Sequence, residues 1–74
     1  MNIYIVKVKH WFSGDKSFWV EALDKTFAKE KTENKVRLRG GGNYDINSVR
    51  VITKIKRTQI EKYEQSGTKH IDYL

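Results

Sequence analysis

Cysteine is absent from the 74 residues, so neither a disulfide nor a thiolate metal site can staple the chain, and compartment cannot be read from redox chemistry. Long apolar runs are absent too. A membrane span needs roughly 18 to 20 apolar residues, and Lys7 and Lys9 break the one candidate stretch, so no membrane contact is expected. The N-terminus lacks a basic segment followed by an unbroken apolar one, which argues against a secretory leader. A cytoplasmic location is the resulting expectation.

Catalytic and ligand-binding patterns are equally scarce. His10 and His70 are far apart in the sequence and have no ligand cluster near them, so no metal site is expected. Ser13, Ser17, Ser48 and Ser66 have no flanking nucleophile motif, and no carboxylate pair has a spacing that imposes general acid and base roles. The expectation is a protein that is not an enzyme and uses no cofactor.

What is present is positive charge and aromatic surface. The net charge is +6 and the pI about 9.7, a balance that favours a polyanionic or acidic partner and also keeps a protein soluble. The charge is uneven: residues 1–57 hold 13 Lys and Arg against 6 Asp and Glu, whereas residues 58–74 hold 2 against 3. Hydrophobic content of 38% beside 32% charged residues is that of a folded domain. At this length there is one domain, 1–74, made of a sheet-and-helix core (1–57) and a C-terminal helical segment with its tail (58–74). Its core must be thin, and two Trp, four Tyr and three Phe can supply most of the buried area.

The chain's organising stretch is Ile3 to Phe12, β-branched and aromatic with a polar beat, which predicts a first, central strand. Tyr4, Val6, Val8, His10 and Phe12 share one face; Ile5, Lys7, Lys9 and Trp11 share the other. Ser13 to Ser17 carries turn residues, and Phe18 to Leu23 resumes as a second strand. A register with Phe12 opposite Phe18 closes a five-residue loop, or a three-residue relative with a bulge. It sets Trp11 opposite Trp19 and Lys9 opposite Glu21.

Asp24 is a suitable N-cap for a helix over about 25–35, whose inward stripe is Phe27, Ala28, Thr32 and Val36. Val36 to Arg39 fits the last helical turn or, by alternation, a short strand. Gly40 to Gly42 then forms the most mobile loop. Ser48 to Arg57 predicts a long strand beside the first, with Val49, Val51, Thr53 and Ile55 on one side and Arg50, Ile52, Lys54 and Lys56 on the other. Thr58 to Glu61 has capping-box spacing for a short helix stopped at Gly67, and the apolar Ile71, Tyr73 and Leu74 favour a docked tail.

The fold class is therefore α+β: a small antiparallel sheet of three or four strands, an N-terminal hairpin plus a long third strand, with one helix on one face and a short C-terminal helix. In the order of the turn, Phe18 to Asp24, the polar helix, and Val49 to Lys56, the chain loosely resembles the small ribosomal protein LX domain. The resemblance covers about three quarters of the chain and implies a strand, strand, helix, strand plan; the triple glycine and the acidic C-terminal segment depart from it.

Opposite the helix, the predicted sheet face displays Lys7, Lys9, Trp11, Trp19, Arg50, Lys54 and Lys56. Cations beside aromatic plates are the ingredients of single-strand recognition, in which phosphates meet Lys and Arg while bases stack on rings. The alternative for Trp11 and Trp19 is cover by Ile60, Tyr63, Ile71 and Tyr73, or by a second subunit. Arg37 and Arg39 before the glycines form a second candidate, a phosphate cradle, or else a plain flexible connection. The first expectation is a small basic module binding RNA or single-stranded nucleic acid. The alternative is a protein-binding inhibitor or adaptor, of phage or mobile-element type, on an acidic protein partner; either works as a monomer or a homodimer.

Overall fold

The computed structural model describes residues 1–74. Three antiparallel strands, β1 (Asn2–His10), β2 (Gly14–Ala22) and β3 (Tyr44–Ile55), carry one long helix, α1 (Lys25–Arg39). A 3₁₀ turn (Arg57–Gln59) leads into the short α2 (Ile60–Gln65), then into β4 (Lys69–His70) and a last 3₁₀ turn (Ile71–Tyr73). The sheet order is β3-β1-β2-β4, which makes β1 an inner strand. The two-residue β4 runs parallel to β2, so the sheet is mixed and the domain is α+β. No helix is long and apolar enough to cross a membrane.

The hairpin register differs from the expected one. Val6 lies opposite Phe18, Tyr4 opposite Val20 and Lys9 opposite Asp15, and Trp19 faces Ile5 rather than Trp11. The slip is an even number of residues, so each side chain keeps its face while its partner changes. The observed register lengthens the ladder to nine residue pairs and sets Phe18 and Val20 beneath α1. Its consequence falls on the loop, which is Trp11-Phe12-Ser13 instead of Ser13 to Ser17. His10 closes this turn: its Nδ1 accepts from the amides of Phe12 (3.2 Å) and Ser13 (3.1 Å). Gly14 takes φ +77°, a value that L side chains resist.

Asp24 caps α1 as expected, its carboxylate accepting from the Phe27 amide at 3.0 Å. The inward stripe is Ala28, Thr32 and Val36, whereas Phe27 stays half exposed. Thr32 is fully buried and satisfies its own hydroxyl by donating to the Ala28 carbonyl at 2.8 Å. Small residues at these positions let the helix approach the sheet closely. Val36 to Arg39 is the helix's last turn, not a strand, so α1 runs four residues beyond the expected end. In the glycine turn after it, the Asn43 amide donates to the Gly40 carbonyl and the Trp11 amide to the Asn43 carbonyl.

β3 starts at Tyr44, earlier than the pattern of Ser48 to Arg57 suggests, and pairs with β1. Register shifts between Ile5 and Val6 and between Lys7 and Lys9 interrupt that pairing. The first shift reverses the faces. Val49 and Val51 point to α1, but Thr53 and Ile55 lie with Ile5 and Ile3 on the reverse side, contrary to simple alternation.

The C-terminal segment packs on both sides of the sheet. Ile60 and Tyr63 of α2 cover Ile3, Ile5 and Ile55 on the reverse face, while Ile71 is fully buried in the main core under α1. The cap at α2 is not the expected Thr58 box; the Gln59 side chain instead accepts from the Lys56 amide at 2.9 Å. Gly67, at φ +100°, ends the segment as its sequence suggests. Removing the Ile71 side chain therefore opens a cavity: Ile71→Ala is expected to cost about 2–5 kcal/mol, read as a fall in the urea midpoint with little change in slope.

Candidate nucleic-acid interface

β1 and the tip of its hairpin position the cations and rings that stay in solvent. On the reverse face the C-terminal segment divides the sheet. At one end Ile3, Ile5 and Ile55 are sealed by α2, with the Arg57 guanidinium 3.1 Å from the Glu21 carboxylate at the seam. At the other end, toward the turn, Lys7, Lys9 and Arg50 project from neighbouring strands. Arg50 reaches across β1 to Asp15, 2.7 Å away, so its charge is partly answered. Such an exposed pair is worth about 0–1 kcal/mol and fixes geometry more than stability. Lys7 and Lys9 have no ion-pair partner.

The two indoles have different fates. Trp11 sits in the turn, 51% exposed, with the Lys9 ammonium 5.4 Å from its ring centroid. That is a cation–π contact worth about 0.5–1 kcal/mol at an exposed site. Trp19 is partly covered: it packs beside Tyr63 and Ile60, its indole N–H donates to Glu64 Oε2 at 3.2 Å, and its ring meets His70 at 4.3 Å. The covering alternative therefore describes Trp19, and the exposed one Trp11. Phe12, placed by alternation on one face with Tyr4, Val6 and Val8, is 84% exposed next to Trp11 in the turn.

Other sequence candidates separate from this group. Lys54 pairs opposite Tyr4 and so lies on the helix side of the sheet, and Lys56 follows the end of β3. Arg37 and Arg39 belong to α1 rather than to a glycine cradle. The Arg37 guanidinium donates to Asn34, and that of Arg39 to the Asp72 carbonyl. Lys35, one turn before Arg39, bonds the Asp72 carboxylate at 2.9 Å and holds that carboxyl below its ordinary value. Helix and tail are thus clamped together, and Arg39 works for the fold.

The structure therefore places Lys7, Lys9 and Arg50 on one face with Trp11 at its turn end, and exposes Phe12 next to Trp11 in the same turn. Phe12 was missed because alternation cannot reveal where a strand stops. The fit of a three-residue turn closed by Gly14 was the available signal. Comparison with family models, with curated proteins and with solved structures returns no match for this chain. The loose resemblance to the LX domain gains no support from these comparisons. The unequal cover of the indoles has a direct optical consequence: acrylamide quenches the native emission in two components. Trp11→Phe leaves only the weakly quenched one, and an unchanged quenching curve contradicts the placement of Trp11.

Proposed function

We propose that this chain is a small, basic, non-enzymatic module that binds single-stranded nucleic acid, RNA included, through the tip of its first hairpin. The observation that carries this reading is the pair of consecutive exposed rings at the hairpin tip, Trp11 and Phe12, with the Lys9 ammonium over the Trp11 ring and Lys7 without an ion-pair partner on the same strand face. Phe12, 84% exposed, leaves most of the roughly 1.5–3 kcal/mol of a fully buried apolar side chain unrealised, and the half-exposed Trp11 leaves a part of its own, which a stacked base supplies. Stacking on an aromatic ring contributes about 1–3 kcal/mol per base and does not depend strongly on base identity. Lys7 and Lys9 meet the backbone phosphates, with Arg50 behind them.

A second reading has its own observation. At the opposite end of the hairpin, Met1, Leu23 and Phe27 expose apolar surface around a depression of ≈ 300 Å³ that also includes Glu21, Glu30 and Lys31. That surface suits an adaptor docking on a protein. Its mixed charge gives little preference for an acidic partner, which places it behind the first reading.

Fluorescence anisotropy with labelled single-stranded RNA and DNA separates the two. Micromolar binding is expected, weakening roughly twentyfold between 50 and 200 mM salt if about three phosphates are neutralised. The double variant Trp11→Ala/Phe12→Ala is expected to lose a further factor of ten or more, about one lost stack. Salt-insensitive binding, no binding, or a double variant equal to the native chain contradicts the proposal.

A further inference from the structure

The rings at the hairpin tip continue along the helix side of the sheet. Phe12 meets His10 edge-on at 6.0 Å between centroids, His10 meets Tyr44 at 4.9 Å, and Tyr44 meets Phe18 at 6.5 Å. This file of rings leads from the bare tip into a pocket of ≈ 230 Å³ lined by Lys16, Phe18, Tyr44, Gly67, Lys69 and Tyr73. Five parts of the fold meet there: the starts of β2 and β3, the turn before β4, β4 itself, and the last 3₁₀ turn.

No carboxylate lines the pocket, and neither of its lysines is in an ion pair. Acids close in sequence are engaged elsewhere: Asp15 with Arg50 across the reverse face, Asp72 with Lys35, and Glu64 with the Trp19 indole. Two ammonium groups at one concavity without counter-charge attract an anion, and phosphate takes hydrogen bonds from both. The buried Phe18 and the rings of Tyr44 and Tyr73 give the same concavity an aromatic lining. Its volume lies below the roughly 300–1,000 Å³ of sites for drug-sized ligands, so it suits one phosphate with part of its nucleotide, not a run of bases.

We infer that this pocket holds the phosphorylated terminal nucleotide of a single strand whose inner bases lie over the hairpin tip. The inference rests on the proposed single-strand binding and adds a preference for the strand's end. Lys16 and Lys69 hold the terminal phosphate, and the tyrosines border the attached ring.

Anisotropy titrations of the full chain with three forms of one internally labelled oligonucleotide test it: unphosphorylated, 5′-phosphorylated and 3′-phosphorylated. A phosphate at one end is expected to lower Kd roughly fivefold, the sum of two exposed charge pairs. In the double variant Lys16→Gln/Lys69→Gln the three forms converge on one Kd, with a thermal melt confirming the fold. In Trp11→Ala all three weaken while the ratio persists. Equal affinities in the native chain overturn the pocket assignment and leave single-strand binding standing. A preference that survives in the lysine variant overturns the role of Lys16 and Lys69, and failure to bind any strand overturns both readings.

Discussion

Pairing of Val6 with Phe18 and of Tyr4 with Val20 decides where every other residue of the hairpin sits. These four side chains are the middle of the main core, beneath Ala28, Thr32 and Val36 of α1. Once they are opposite one another, nine residue pairs follow on the ladder and the chain must reverse between His10 and Gly14. Trp11 and Phe12 then have no strand to lie in. The turn holds because His10 accepts two amides and Gly14 supplies the positive φ, so local chemistry agrees with the register that burial selects.

The same sheet leaves its two faces unequal. One is covered over the main core by α1 and completed by Ile71; the other is sealed only where α2 lies over Ile3, Ile5 and Ile55. A chain of 74 residues has little material for a third full layer. The last 17 residues are therefore shared: Ile60 and Tyr63 go to the reverse face, Ile71 to the helix face, and Lys35 and Arg39 fasten Asp72 between them. What remains uncovered is the turn end of the hairpin, with its lysines and two rings.

Much of this was legible in the residues. The β-branched run of Ile3 to Val8, the Asp24 cap, the stripe Ala28-Thr32-Val36 and the apolar tail each point to the element observed, because each is a local signal. Long-range choices were not legible. Alternation fixes the face of Trp19 but gives two registers of equal parity, and only the ladder length selects between them. A bulge hides within an uninterrupted β-branched sequence, which is why Thr53 and Ile55 change sides. Among the candidate cations, Lys7, Lys9 and Arg50 share the reverse face as alternation predicts. Arg39 is drawn into the fold by a backbone carbonyl that no sequence pattern marks.

In the proposed function, a single-stranded ligand covers the two solvent-facing rings at the turn end of the sheet, near cations that have no ion-pair partner. The most direct measurement is amide and indole chemical-shift mapping on the ¹⁵N-labelled chain during titration with a short single strand. The account predicts that the Trp11 indole signal and the amides of Lys7 to Gly14 move, while the Trp19 indole, held by Glu64, stays in place. Movement centred on Trp19 or on the outer face of α1, with the turn unaffected, would contradict it.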